Sequence, residues 1–512
     1  MDLLATLTSW IVVFIPVLML AFGVSEVALS RTIPGKTTLY TMLTFGLVWL
    51  GTLGALGLVI FNGPINITLL TVANAPVFGF LLDRLSLVIV LLVVTVSGIV
   101  HLYSLRAMHE ERDFRRYFAF LTLITLEVVL VVFSNNLLML AIFWILKGFT
   151  LTLLISHYHD RKASWQAALR KLSIDLVGYV AFLAALFLTW NIFGSFDLGV
   201  INTQAATIAQ SQSDYYQLTL LTILLFVAIM AKSAQFPFHS WLPGSVEAPT
   251  PVSALMHAGL INAGGFLFIR LSPLFVATPV TMGVAIAIGG FTAFFGTLIM
   301  LTRNDVKGML VYSTMGQMGF MILECGLGAF GLAALHLVAH GLFKATLFLS
   351  AGSVIQKKGV IQLIAPSEHS PTGNFGTVRL LSTGILAGLV LFFVPGLLGF
   401  SVNTGTILLA FAWFTLLYAL TELDKLPLVF LLPGTLVITL VYLVGIHGVE
   451  LFFKPTVAAN PKMDFTVIML SSAGLVLVGL LALILKSPNR PAWLNRLFTR
   501  LYVRALFTGY GK

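Results

Sequence analysis

The sequence predicts an all-α, polytopic integral membrane protein with about 15 transmembrane helices. Three observations predict it. First, the 512 residues are 58% hydrophobic and 9% charged, with a mean hydropathy of +1.01, whereas a soluble domain carries roughly 25% charged residues. A chain this poor in charge cannot coat a water-facing surface, so lipid covers most of it. Second, apolar runs of about 20 residues recur from end to end, each long enough to cross the hydrocarbon core as a helix. They are continuous, unlike barrel strands, which alternate over about 10 residues. Third, the basic residues gather on one side of the predicted membrane.

The predicted spans lie near 3–25, 38–62, 80–104, 116–133, 136–157, 172–194, 216–235, 250–272, 280–302, 307–326, 331–355, 377–400, 404–422, 427–447 and 466–486. The first begins at Leu3 without a basic segment before it, and so reads as a retained helix rather than a cleaved signal peptide. With the N-terminus outside, the inner loops and tail hold 22 of the 29 basic residues, among them Arg112, Arg161, Lys162, Arg170, Lys171 and Arg303. The outer loops hold Lys454 and Lys462. This bias places the C-terminus in the cytoplasm. Residues 63–79 form an uncharged outer loop suited to a short hairpin. In the tail 490–508, Arg496, Arg500 and Arg504 recur at i,i+4 among Trp493, Leu497, Phe498 and Leu501, a pattern that suits a helix lying in the inner interface. The net charge of +10 is accounted for by these loops and does not indicate nucleic acid. The single cysteine, Cys325, allows neither a disulfide framework nor a thiolate metal site within the chain.

Five basic residues fall inside spans. Arg84 and Arg270 sit near span ends, where they can snorkel to the interface in a structural role. Lys147, Lys232 and Lys344 lie deeper, where an ionisable group costs at least a few kcal/mol and reads as functional. Lys232 leads into a segment broken by Pro237, Pro243, Pro249 and Pro251, with His257 on the following span. Prolines end an ordinary helix, and broken backbone at membrane depth is tolerated only where protein or a water cavity satisfies it. In AALHLVAHGLFKATLFLSAG, His336, His340 and Lys344 stand at i, i+4 and i+8, on one helix face. Three titratable groups in register favour a proton relay over core hydrogen bonding. A metal site is a poorer reading, since lysine is a weak ligand and no acid or thiol joins the stripe. Of the acids, Glu127 lies within a span with Lys147 or Lys232 as candidate partners. Glu247 precedes the Pro-Thr-Pro break, Asp175 sits near the start of a span, and Glu324 is expected to reach the outer interface.

These residues resemble a known family. The block Lys232–Leu267, with NDVKGMLVYSTMGQMGF (304–320), HLVAHGLFKATLFLSAGSVI (336–355) and FLLDRLSLVIVLLVVTVSGIVHLYS (80–104), is similar to the proton-conducting membrane subunits of respiratory complex I and Mrp-type cation/proton antiporters. The resemblance implies inverted five-helix repeats, each with a discontinuous helix and a half-channel. It divides the chain into N-terminal transmembrane helices (1–105), two half-channel repeats (106–272 and 273–425), C-terminal transmembrane helices (426–486) and a basic amphipathic tail (487–512). By matching motif positions it implies proton-path roles for Lys232, His257, Lys307, His336, His340 and Lys344; Glu127 and Lys147 join this set from their own burial.

Two departures stand out. The family places a glutamate directly after the tryptophan of its fifth helix, where FWILKGF has Ile145. It ends its second channel with a lysine after a Gly-Phe-x-Ser pattern, where GLLGFSVNTG has Val402 and Asn403. With its last residue at Lys512, the chain is expected to carry no lateral helix of the complex I kind. These features, and EAPTPVSALMHAGLINAGGFLFIRLSP, resemble the DabB branch. That resemblance implies an energy-coupling subunit of inorganic carbon uptake in a prokaryotic inner membrane. It would conduct protons or Na+ to drive a DabA-like zinc protein, related to carbonic anhydrases, on the cytoplasmic side. No cofactor is expected in this chain; the zinc belongs to the partner. A complex I or Mrp-type subunit is the alternative. An enzyme proper is disfavoured: the sequence has no nucleotide-binding glycine pattern, no iron–sulfur cysteines and no nucleophile–base pair. Glu127 is expected to take the missing glutamate's place beside Lys232, unless Lys147 has changed the electrostatics of that half-channel.

Overall fold

The computed structural model describes residues 14–23, 34–72, 75–211, 215–300, 302–303, 305–353 and 428–458. The chain starts with α1 (Phe14–Gly23) and α2 (Pro34–Asn62). An antiparallel hairpin follows, β1 (Ile65–Val72) with β2 (Ala75–Leu82). Next come α3 (Arg84–Ala107), α4 (Phe114–Phe133), α5 (Leu137–Ile155), α6 (Lys162–Phe193), α7 (Leu198–Ser211) and α8 (Tyr215–Lys232). After a broken stretch the chain continues through α9 (Thr250–Leu255), α10 (Ala263–Arg270), α11 (Ser272–Val276), α12 (Pro279–Met300), α13 (Val306–Gly326) and α14 (Phe330–Ser353). The last described helix is α15 (Leu428–Phe453).

Among the described residues, nine helices are long and apolar enough to cross a membrane, and the chain is a multi-pass membrane protein. The expected hairpin is present, and because its second strand runs to Leu82, α3 starts at Arg84 rather than at residue 80. The spans at 377–400, 404–422 and 466–486, Val402, Asn403 and the basic tail lie outside the described residues.

Capping side chains set several boundaries by satisfying the orphan N–H groups of a first turn. Asp83 Oδ1 accepts from Ser86 N (2.8 Å) at α3, Asn136 Oδ1 from Met139 N (2.8 Å) at α5, and Asp305 Oδ2 from Gly308 N (2.6 Å) at α13. At its far end α6 closes on Gly194, which takes φ 61°, a left-handed conformation suited to glycine. Helices α12 and α13 approach through glycines: a Cβ on Gly289 would come within 2.6 Å of Leu323 N, and one on Gly296 within 2.6 Å of Gly316 N. Small residues let backbones come this close in lipid, where the helices gain little from hydrophobic burial.

Two expectations fail here. α6 is 32 residues long and begins at Lys162, so Lys162, Arg170 and Lys171 are helical rather than inner-loop residues. Arg270 does not snorkel: it is 4% exposed, pairs with Asp83 and donates to Ser86 Oγ (2.5 Å). A buried charge needs such a partner, and this one ties the end of α10 to the start of α3. Arg84 keeps the structural role expected, donating to Phe452 O (2.9 Å) and so fastening α3 to α15.

The proline-rich stretch is discontinuous as expected. α8 ends at Lys232, and Ala234 adopts φ 49°, costly for a non-glycine residue. Two 3-10 turns follow, Phe238–Trp241 and Pro243–Glu247. Met256–Leu260 is a π-turn between α9 and α10, a feature often found at functional sites. Side chains satisfy the freed backbone: Trp241 Nε1 donates to Ala231 O (3.1 Å), Ser233 Oγ to Ile261 O (2.8 Å), and Asn262 Nδ2 to Ala258 O (2.8 Å).

Candidate functional site

Two clusters of ionisable side chains are buried in the bundle. The first is built from α4, α5, α6 and α8. Asp175 is its centre, 2% exposed, with Lys171 Nζ 2.5 Å and Lys232 Nζ 3.5 Å from the same oxygen, Oδ2. Tyr179, one turn further along α6, donates its hydroxyl to that oxygen at 3.1 Å. Lys171 also donates to Gly148 O (2.5 Å) and Thr152 Oγ1 (3.2 Å) on α5. One carboxylate therefore serves two lysines and a phenol.

Gly148 makes this possible, because a Cβ there would overlap the Tyr179 hydroxyl and stand 2.9 Å from Lys232 Nζ. Trp144 contributes a ring face, with Lys147 Nζ 4.3 Å and Lys232 Nζ 5.9 Å from its centroid. A ring face attracts a cation where water is excluded. Lys147 is 1% exposed, and its Nζ has no hydrogen-bond partner among the described residues. Glu127 is buried too and accepts from Thr150 Oγ1 at 2.9 Å.

The second cluster lies around the broken helix, α13 and α14. His257, in the π-turn, stacks on Phe348 (centroids 4.4 Å apart, planes at 9°) and stands 3.4 Å from Ser245 Oγ. His340 Nδ1 is 3.3 Å from Asn262 Oδ1, and the His336 and His340 rings are 6.2 Å apart. Lys344 donates to Ser313 Oγ (2.7 Å) and Leu310 O (3.3 Å). His336 stands between Glu324 Oε2 (2.9 Å) and Gln317 Oε1 (2.8 Å). Lys307, half-buried in the first turn of α13, lies within electrostatic range of Glu247.

The predicted residues thus separate into two groups. Lys147, Lys232 and Glu127 meet in the first; His257, His336, His340 and Lys344 meet in the second, and Lys307 stands apart. Two corrections follow. Glu324 is 6% exposed and paired with His336, so it does not reach an interface; the half-buried imidazole holds it inside. Nor is Glu127 the direct counter-charge of Lys232: it lies within electrostatic range of Lys147 and Lys232, but the carboxylate at pairing distance is Asp175. Sequence reasoning missed Lys171 as a site residue and left Asp175 without a partner. Their i,i+4 spacing on α6, a pair that meets on a helix face, was the available signal.

Residues 134–424 match the model of the NADH:quinone oxidoreductase/Mrp antiporter transmembrane family. Residues 71–118 match that of the NADH-ubiquinone oxidoreductase (complex I) chain 5 N-terminus. The chain is 37% identical over 399 residues to the "Probable inorganic carbon transporter subunit DabB1" of Halothiobacillus neapolitanus, covering 73% of this chain and 70% of that one. It is 39% identical over 286 residues to the NAD(P)H-quinone oxidoreductase chain 5 of Synechocystis, covering 55% of this chain and 42% of that one, so it spans less than half of that relative. In structure it resembles a chain of the Mrp complex from a Dietzia species, with TM-score 0.60 at 20% identity, covering 98% of this chain and 56% of that one. It also resembles a chain of the membrane-bound sulfane sulfur reductase, an archaeal respiratory complex, with TM-score 0.60 at 17% identity, covering 97% of this chain and 97% of that one. These two likenesses support the fold.

Proposed function

The chain belongs to the NADH:quinone oxidoreductase/Mrp antiporter transmembrane family, and from that premise we propose that it is the energy-coupling membrane subunit of an inorganic carbon uptake complex, translocating protons along its buried lysines and histidines. The observation that carries the proposal is the shared carboxylate: Asp175 pairs with both Lys171 and Lys232 at the foot of a broken helix. In the structure the closer pairing is with Lys171, at 2.5 Å, and Lys232 stands 3.5 Å from the same oxygen. A rotation of Asp175 from Lys171 toward Lys232 moves the counter-charge by one side chain, and the proton load can move with it. Lys147 and Glu127 adjust the field around this pair. His257, His340, His336 and Lys344 carry the load onward, and Lys307 stands at the inner end of α13. General acid–base groups in sequence are suited to this work because each can bind and release a proton.

In this reading the chain is no enzyme. Catalysis, the hydration of CO2, belongs to a soluble zinc-binding partner of the DabA kind at the cytoplasmic face, and the zinc is the partner's. The membrane is a prokaryotic inner membrane, with the N-terminus outside and the C-terminus in the cytoplasm. Likeness to the inorganic carbon transporter subunit supports this assignment over that to the chain 5 relatives, because it extends over more of both chains.

The test is bicarbonate accumulation in cells. Lys232→Ala and His340→Ala are expected to abolish it while the partner still co-purifies. Unchanged uptake in both variants would sink the proposal. Purification with several hydrophobic subunits, in place of one soluble zinc protein, would assign the chain to a complex I or Mrp-type assembly. Flux that follows Na+ rather than pH would reassign the ion.

A further inference from the structure

One cavity is lined by Lys147 of the first cluster and by Asn262, the hydrogen-bond partner of His340 in the second. Its lining brings together Leu92 and Val93 of α3, Val128 and Val132 of α4, Lys147 of α5, and Asn262 beside the π-turn. It has room for about one water molecule. Of all its lining side chains, Lys147 and Asn262 alone can form hydrogen bonds. Lys147 belongs to the first cluster and its Nζ has no hydrogen-bond partner among the described residues. Asn262 belongs to the second: its Oδ1 is 3.3 Å from His340 Nδ1, and the other ring nitrogen of His340 is likewise without a partner among the described residues.

We propose that this apolar-walled cavity is a transfer gate, across which Lys147 hands a proton from the first cluster toward His340. The inference rests on the proton-translocation reading above. Lys147 gives up one N–H proton to water admitted into the cavity, and that water releases a proton toward the His340 ring, whose orientation Asn262 holds. The walls make the passage a gate. A buried water ordinarily needs two to four polar partners, and here it finds the minimum. Water therefore enters briefly, and the two clusters are in proton contact only for that time. Lys147 then has a role that its tryptophan contact alone does not explain. It is the member of the first cluster that reaches the cavity.

Val132 supplies the test. It lines the cavity from α4 and is buried. Val132→Leu enlarges one wall of a space that holds about one water and removes no titratable group. Proton uptake would be measured with a pH-sensitive dye in inside-out membrane vesicles from cells expressing the full chain with its native neighbours, under an imposed potential. Val132→Leu is expected to lower uptake by at least ~10-fold, since small displacements along a transfer path carry penalties of that order. Val132→Thr, of similar size to valine but able to hydrogen-bond, is expected to conduct at or above the wild-type rate. If Val132→Leu does not reach the membrane, Val93→Leu fills the same space from α3 and is expected to lower uptake several-fold. Wild-type uptake in the leucine variant, with Lys232→Ala silent, overturns the gate and leaves the translocation reading standing. Wild-type uptake in both removes the translocation reading and the gate with it.

Discussion

The first cluster is dense in charge and the second is not. Around Asp175, three lysines and two carboxylic acids from four helices lie out of water, so the lysines outnumber the acids and must share them. Around His340, most groups have a private polar partner: Ser313 for Lys344, Asn262 for His340, Ser245 for His257. The difference teaches that two parts of one path can share a task and differ in what holds them together. Removing one partner from a buried ion pair leaves an uncompensated charge; removing a group whose partner is a neutral hydroxyl or amide leaves an unsatisfied atom, which costs less. Substitutions in the first cluster should therefore damage stability and flux together, and those in the second mainly flux.

The sharpest way to break this comparison is Asp175→Asn. It strands Lys171 and Lys232, and the expected loss of stability is about 3–5 kcal/mol, read from thermal unfolding of the detergent-purified protein. Replacing Lys171, Asp175 and Lys232 together by Met, Leu and Met should recover much of that stability while leaving no flux. Next comes His340→Gln in the second cluster. Proton uptake into vesicles should fall by roughly 100-fold, the scale of one lost acid–base group, with a stability change of only about 1 kcal/mol. Equal destabilisation by His340→Gln and Asp175→Asn would erase the distinction. A smaller effect is expected from Glu127→Gln. The Thr150 hydrogen bond can persist, so uptake should fall by less than ~10-fold and stability by about 1 kcal/mol. The smallest is Glu324→Gln, because a glutamine amide can still hydrogen-bond His336, which also keeps Gln317 at 2.8 Å; uptake within about twofold of wild type is expected.

The two clusters also differ in how well the sequence foretold them. His336, His340 and Lys344 were legible because one helix carries all three, and helical spacing alone puts them on one face. The break after Lys232 was legible from its prolines. The Asp175 centre was not, since its parts come from four helices and their meeting depends on packing. A misplaced boundary compounded this: starting α6 near residue 172 put Lys171 in a loop and removed Asp175's partner. The charge runs that marked inner loops, Arg161–Lys162 and Arg170–Lys171, in fact straddle the first turns of a long helix. The exchange of the family's fifth-helix glutamate for Ile145 was visible, but its consequence was not. The acid that pairs with Lys232 stands one helix further on, and Gly148 leaves the room that Tyr179 and Lys232 need beside it.

The most direct test of the account is proton uptake into vesicles carrying the full chain with Asp175→Asn, set beside Asp175→Glu. With uptake normalised to the amount of folded chain in the membrane, the shared carboxylate predicts that the asparagine variant falls to background and that the glutamate variant keeps a measurable part of the rate. Uptake by Asp175→Asn at the wild-type rate would contradict it.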